Sequence, residues 1–281
     1  MARASRRESE TAAEPAEASP LNVAITAAAR ETMTMVREAL RRKDVMLAFQ
    51  PVMQTARPGK PAFYEGFIRV LDGGGRVIPA RDFMGTVETS ELGRIIDCLS
   101  LEMGLQALER QPNLRMAINM SARSIAYPNW MRTLRRGLKS CPTAGERLIL
   151  EISEESAMVM PEIVGVFMQD LQRQGISFAL DDFGAGLTSF RALKQFLFDF
   201  IKIDGQFIRG IADSPDNQCM TRALLGVAHE FDMHAVAESV ESARDAEVLA
   251  AMGMDCMQGY YFGAPSVTPP WKVPREKRKR A

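Results

Sequence analysis

Histidine is scarce in this chain, with two residues in 281, and the four cysteines are far apart. Neither His229, late in an expected helix, nor His234, at an expected strand start, sits in a metal-binding motif; both read as structural. Cys98, Cys141, Cys219 and Cys256 form no Cys-x-x-Cys pair, which argues against a disulfide scaffold and a thiolate zinc site. No apolar run reaches 18 residues, so no membrane span is expected. The opening stretch MARASRRESETAAEPAEASP lacks the hydrophobic segment of a signal peptide, and the expected location is the cytoplasm. An excess of one charge is missing too. Lys plus Arg and Asp plus Glu both total 35, which gives no basis for bulk attraction to DNA, RNA or an anionic membrane. No Gly-x-Gly-x-x-Gly follows a strand. The segment Asp72-Gly73-Gly74-Gly75 lacks the Lys-Ser or Lys-Thr of a nucleoside-triphosphate loop and reads as a turn.

What is present is an ordinary globular composition, 46% apolar and 25% charged, long enough to bury a sizeable core. The 18 Met and 14 Phe residues are expected to fill it. Residues 1–20 carry hardly any large apolar side chain and read as a disordered tail. In residues 21–44, Ile25, Met33, Val36 and Leu40 recur at roughly helical spacing. From Val45 short apolar strands alternate with amphipathic helices. Strands are expected at 45–53, 62–70, 115–120, 147–152, 177–182, 199–203, 234–238 and 255–258. Helices are expected at 91–109, 130–138, 160–173, 216–231 and 242–252. Eight strands in about 215 residues is the arithmetic of an α/β (β/α)8 TIM-type barrel; alternation alone leaves an open doubly wound sheet as the rival. The barrel is expected over 45–268, followed by a basic C-terminal tail over 269–281.

The polar residues carry the information. Glu65, Asn119, Glu151, Asp181 with Asp182, Lys202, Glu238 and Gln258 each lie near the end of an expected strand. In a barrel those ends converge on one mouth, where active sites are built. Five carboxylates brought together are costly unless cations compensate them. Lys202 supplies one positive charge, and the rest point to bound divalent metal. Oxygen donors with few imidazoles favour Mg²⁺ or Mn²⁺. Adjacent Asp181 and Asp182 suit two ions about 3.5–4 Å apart, the pair that clamps attacking and leaving oxygens in phosphoryl transfer. The cluster therefore points to phosphate-ester hydrolysis.

At these residues the chain resembles the EAL-domain family of cyclic di-GMP phosphodiesterases. The matching pieces run in order over about residues 45–265: Phe49-Gln50-Pro51-Val52, Glu65-Gly66-Phe67-Ile68-Arg69, Pro79 to Phe83, Ile118-Asn119-Met120-Ser121-Ala122, Glu151-Ile152-Ser153-Glu154, Ala179 to Gly186, Ile201-Lys202-Ile203-Asp204 with Phe207, Ala237 to Glu241, and Gln258-Gly259-Tyr260. The resemblance implies a modified barrel with one antiparallel strand. It implies hydrolysis of one phosphodiester of cyclic di-GMP to linear pGpG, using two Mg²⁺ or Mn²⁺ ions. Glu65, Asn119, Glu151 and Asp181 correspond to ligands of the first ion, and Asp181 with Asp182 addresses the second. Lys202 would orient the attacking water. Glu238 corresponds to the general base and also reaches the second metal. Glu241 and Gln258 would sit beside the site and help place water, and Arg69 would contact the ligand phosphate. Glu154 resembles the acid that holds the loop from Phe183 to Ser189, a loop the family links to dimerisation; a homodimer is expected on that resemblance.

The chain departs from the family pattern in three places. Glu65-Gly66-Phe67 replaces Glu-Ala-Leu, Leu187 stands where tyrosine is usual, and Ser239-Val240-Glu241-Ser242 replaces Gly-Val-Glu-Thr. None removes a metal ligand. A non-catalytic cyclic di-GMP receptor and a protein-interaction adaptor on the same barrel are the alternatives to an active enzyme. A diguanylate cyclase is not supported, since no Gly-Gly-acid-acid-Phe motif occurs. Regulation could come from expression level, from substrate concentration or from an unidentified protein partner reading residues 1–44.

Overall fold

The structure, a computed structural model, describes residues 20–186, 193, 194, 196–269 and 271. The expected N-terminal tail up to residue 19, the loop position Leu187 and the basic residues 272–281 lie outside the described residues. After helix α1 (Pro20–Arg42) come β1 (Val45–Gln54), β2 (Pro61–Leu71), β3 (Val77–Ile78), α2 (Met84–Val87) and α3 (Glu91–Arg110). Then follow β4 (Met116–Asn119), α4 (Pro128–Ser140), β5 (Leu148–Ser153), α5 (Glu154–Val159), α6 (Pro161–Gln172) and β6 (Ser177–Phe183). The chain continues through β7 (Phe200–Ile203), α7 (Gly205–Ile208), α8 (Pro215–Glu230), β8 (His234–Ala237), α9 (Ala243–Ala251) and β9 (Cys256–Met257).

The sheet runs β1-β9-β8-β7-β6-β5-β4-β2, and β1 pairs with β2 to close an eight-stranded barrel. Strand β1 lies antiparallel to both of its neighbours, β2 and β9. The remaining barrel pairs are parallel. Closure rules out the open doubly wound sheet. The short β3 is an addition that pairs antiparallel with the end of β2 beyond the Gly73–Gly75 turn.

The barrel closes because each strand alternates between two apolar environments. One side chain per barrel strand builds a floor inside it: Val52, Phe63, Ala117, Ile149, Ala179, Phe200, Val236 and Cys256. Phe63 and Phe200 meet edge to face across it, ring centres 5.3 Å apart. The alternate residues face outward. Met116, Ile118, Leu148, Leu150, Phe178, Leu180 and Ile201 pack with helix residues such as Trp130, Phe167 and Leu225 into the main core. A satellite core holds α1 to the barrel through Val36, Ala39 and Leu40 against Val70, Ile78 and Phe83.

Strand-to-helix junctions are capped as the sequence dictates. Ser90, Ser153, Asp204, Ser214 and Ser242 each accept a backbone N–H of the helix they open. Arg147 donates to the carbonyls of Leu108, Gln111 and Leu114, satisfying the end of α3. Trp271, placed in the tail by the sequence, packs its indole edge-on against Phe49 and Tyr64, 4.9 and 5.4 Å between ring centres. The apolar ring gains more from that contact than from water.

Candidate active site

Directly above the apolar floor lies a polar layer with the same one-per-strand arithmetic. Two residues beyond the floor residue stand Glu65 on β2, Asn119 on β4, Glu151 on β5, Asp181 on β6, Lys202 on β7, Glu238 after β8 and Gln258 after β9. The period of two sends them into the barrel at one level. Strand β1 runs the other way, so its contribution, Gln50, precedes its floor residue Val52 and pairs with Glu65 in the ladder. Glu65 itself lies mid-strand, because β2 continues as a hairpin partner to Leu71. It is the interior layer, not the strand end, that fixes its position.

Lys202 sits at the centre with 1% of its side chain exposed. Its ammonium lies 3.0 Å from Glu65 Oε2, 3.1 Å from Glu151 Oε2, 2.8 Å from Asp181 Oδ1 and 2.7 Å from Glu238 Oε1. One cation with three N–H groups faces four carboxylates. Burial disfavours the Lys202 charge, but these acids outweigh it and raise its pKa well above the ordinary value. Burial also works against ionising Glu65; Lys202 and the side-chain amides of Gln258 and Asn119 prevail and hold its carboxyl below the usual range. The amide contacts are 2.8 Å from Gln258 Nε2 and 2.7 Å from Asn119 Nδ2. Glu151 and Glu238 go the other way. Burial pushes both well up, and neighbouring carboxylates add to it: Glu65 and Asp181 at Glu151, Asp181 and Glu65 at Glu238.

The layer is thus under-neutralised, and its donor set fits hard divalent ions. Asp181, Asp182 and Glu238 each bring a carboxylate oxygen within 4.8 Å of the others. Glu151 Oε1 is buried without a hydrogen-bond donor, as is Gln258 Oε1. All these groups are oxygens, the chemistry Mg²⁺ or Mn²⁺ selects. In a regular strand, Asp181 and Asp182 would face opposite sides. Here the β6–β7 register slips between Leu180 and Phe183, and Asp182 takes a left-handed φ of 56°. The bulge turns the second carboxylate towards the first. Burial and the adjacent Asp181 raise the Asp182 carboxyl to about 6. Asp182→Gly should therefore stabilise the metal-free protein by about 0.5–1 kcal/mol in urea unfolding, since glycine adopts this backbone without strain. A less stable glycine variant would show that the bulge is not strained.

The mouth opens into a cavity of about 550 Å³ lined by Glu65, Asp181, Asp182, Lys202, Glu238 and Gln258 below, and by Phe67, Arg69, Arg209, Ser239, Glu241 and Tyr260 around the rim. Arg69 lies 5.7 Å from the centre of the Phe67 ring and donates to its neighbour's carbonyl at Ile68. Glu241 is exposed at the rim near Arg209, and Asn119 and Glu151 sit at the wall beneath. Glu154 opens α5, and its Oε2 accepts the N–H of Gly184 at 2.9 Å, tying the segment after Asp182 to the barrel. At the signature departure, a Cβ on Gly66 would lie 2.4 Å from Met116 Cε, so the missing methyl makes room for that buried Met.

Sequence reasoning assigned no role to Gln50, Arg209, Ser239, Tyr260 or Asp97, although Gln50, Ser239 and Tyr260 fall within its motif pieces. Asp97 lies on α3, and its Oδ2 accepts the N–H of Ser121 at 3.0 Å and the hydroxyl of Ser124 at 2.5 Å, holding the segment that follows Asn119. Burial raises its carboxyl to about 6. The folded state then keeps a proton that the unfolded chain releases near 3.8, so this group's contribution to stability falls as pH rises from about 4 to about 6. Asp97→Asn removes that slope. Between pH 4 and 7 the variant should gain about 2–3 kcal/mol relative to the parent in urea unfolding. A pH-independent difference would count against it.

A second cavity, about 470 Å³, opens at the opposite end of the barrel beside Arg115, Asp199, His234 and Asp255. Its acids are already engaged in structure. Asp199 Oδ2 accepts Phe178 N–H, and Asp255 Oδ2 accepts Ala235 N–H beside His229 Nε2. The chemistry therefore belongs to the acidic mouth.

Comparison with known proteins agrees with this geometry. The chain is 30% identical over 236 residues to cyclic di-GMP phosphodiesterase PdeR of Escherichia coli K12, covering 83% of this chain and 35% of the relative. Cyclic di-GMP phosphodiesterase PdeF of the same organism is 29% identical over 237 residues, with coverages of 83% and 31%. The chain spans about a third of the length of these curated relatives. Among solved structures, the FimX EAL domain of Pseudomonas aeruginosa bound to c-di-GMP superposes with a TM-score of 0.77 at 27% identity, over 85% of this chain and 97% of that one. The PaMucR phosphodiesterase in complex with c-di-GMP gives 0.73 at 25%, over 88% and 99%. The EAL domain model matches residues 33–265, from within α1 to the strand-like segment after β9, and takes in every polar side chain of the barrel mouth: this chain belongs to the EAL domain family.

Proposed function

We propose that the protein hydrolyses one phosphodiester of cyclic di-GMP to linear pGpG, with two Mg²⁺ or Mn²⁺ ions as cofactors. The observation that carries this reading is the complete polar layer, in which four carboxylates share a single buried ammonium. The solved relatives with c-di-GMP bound support the ligand. Glu65, Asn119, Glu151 and Asp181 are the residues to hold one ion, and Asp181, Asp182 and Glu238 the other. Divalent ions at such a site neutralise the phosphodiester and make water more acidic.

The chain's own residues do the remainder. Glu238, at the mouth beside Asp181 and Asp182, is placed to take a proton from water. Lys202 holds Glu238 Oε1 at 2.7 Å and keeps the base oriented. Water adds to phosphorus, the 3′-oxygen leaves with a proton, and the product carries a 5′-phosphate. Arg69 supplies charge to the ligand phosphate from β2. Tyr260, 70% exposed beside the cavity, and Phe67 offer aromatic faces on which guanine can stack. Glu241 and Gln258 flank this centre as positioning groups, and Glu154 secures the segment after Asp182. Two copies pair through the α5–α6 face, a reading supported by exposed Val159, Ile163 and Val166 on those helices.

The test is a chromatographic time course of the purified protein with cyclic di-GMP and Mn²⁺. Conversion of many equivalents to pGpG is expected. Binding without product would make the barrel a receptor, and a folded protein that does neither would overturn the ligand assignment.

A further inference from the structure

The rim carries a cation whose placement depends on Ser239, one of the positions at which the chain departs from the family pattern. Among the described residues, the cations lining the mouth cavity are Arg69, Lys202 and Arg209. Lys202 is consumed by four carboxylates. Arg69 and Arg209 remain. Arg69 is on β2, and Arg209 follows α7, the helix that β7 leads into. Around the ring, β2 and β7 are four strands apart in either direction, which is diametrically across the barrel. The two arginines thus line the same acidic cavity from separate parts of the ring, Arg69 on β2 and Arg209 beside the segment that follows β8.

Arg209 is 58% exposed, but it is not loose. Its Nη2 donates to Ser239 Oγ at 3.1 Å, and its Nε lies 3.8 Å from Glu241 Oε1. Most of the five guanidinium N–H donors stay uncommitted. Ser239 holds a left-handed φ of 54°, a conformation disfavoured for a residue with a side chain. It also needs space. A Cβ on Gly205 would lie 2.5 Å from Ser239 Oγ and 3.1 Å from Arg209 Nη2, so only glycine at 205 admits the arrangement. A strained serine and an obligatory glycine together set one arginine at the rim.

We propose that Arg209, positioned by Ser239, binds the second, uncleaved phosphodiester of the cyclic dinucleotide and so sets affinity rather than rate. The proposal rests on cyclic di-GMP being the ligand. The ligand is a ring with two phosphodiesters on opposite sides. One has to reach the acidic centre near Arg69, which leaves the other a partner elsewhere around the mouth. Phosphate is favoured over a guanine edge because the cavity is acidic and every ligand anion needs a cation that the carboxylates have not already taken.

The experiment measures Kd for cyclic di-GMP by calorimetry in EDTA, and KM and kcat with Mn²⁺. Arg209→Ala should raise Kd and KM about tenfold, with kcat within about twofold, as expected for loss of one charge-assisted contact made equally in ground and transition states. Arg209→Lys should recover most of the loss, because an ammonium serves a phosphate as a point charge but cannot reproduce a bidentate grip on guanine. Ser239→Ala should raise Kd about threefold in the parent and leave it unchanged when Arg209 is already alanine, the non-additivity of a positioning residue. Parent-like affinity in Arg209→Ala overturns the proposal. So does a lysine variant as weak as the alanine one, which would assign Arg209 to the base. A parent protein with neither binding nor turnover instead overturns the ligand reading beneath it.

Discussion

Asp181→Asn is expected to fold normally and to lose at least about a thousandfold in cyclic di-GMP turnover, roughly 4 kcal/mol of transition-state stabilisation. Asp181 belongs, with Glu238, both to the Lys202 cluster, at 2.8 and 2.7 Å, and to the Asp181–Asp182–Glu238 oxygen group, and in the proposed assignment it alone serves both ion positions. Asparagine keeps its shape and one oxygen but removes the charge shared by the two candidate ion positions. The fold loses little. Lys202 keeps three carboxylates, and repulsion on Asp182 and Glu238 is relieved. Thermal unfolding in EDTA should therefore show an Asn variant at least as stable as the parent, while the upward shift on adding Mn²⁺ shrinks. Full activity in this variant would sink the metal-dependent reading, whereas loss of activity with loss of folding would leave Asp181 a structural role alone.

The barrel was legible because its strands are short apolar runs that deliver one polar group each, and the eight expected strands match the observed ones closely. Seven of the eight residues in the polar layer share that signature. Gln50 escaped because β1 is antiparallel. Its polar residue enters the layer from the first half of the strand, where a search of C-terminal strand ends does not look. Asp204 follows Lys202 in the matching motif, and its side chain is the cap of α7, accepting Gln206 N–H at 2.7 Å. Helix α5 and strand β3 are too short, at six and two residues, for periodicity to register. The bulge that turns Asp182 inward has no pattern in sequence beyond the tolerance of Asp for left-handed backbone. Arg209, Ser239 and Tyr260 lie in loops, and only closure of the ring brings them to the same rim. Asp97 left a faint signal, a lone acid on the buried side of α3 between Ile96 and Leu99.

Lys202→Met should be the most destabilising single change in the polar layer, at about 3–5 kcal/mol in the metal-free protein, because it strands buried carboxylates without the one cation paired with them among the described residues. Methionine fills the volume of the lysine stem, so the effect measures charge and not a cavity. Glu65 is the most exposed to this loss electrostatically. Its carboxyl is held below the usual range against burial chiefly by Lys202, and without that ammonium it would take up a proton. Partial relief is therefore expected in Lys202→Met combined with Glu65→Gln, which would be more stable than Lys202→Met alone. Divalent cations provide a second route. On the proposed two-ion reading, Mn²⁺ would bind only the folded cluster and stabilise it by mass action, so its effect on the unfolding midpoint should be larger in Lys202→Met than in the parent. Urea unfolding in EDTA and in Mn²⁺ gives the comparison directly. If the variant unfolds like the parent in EDTA, the four carboxylates are not jointly charged in the folded protein, and the electrostatic case for metal at this mouth fails with them.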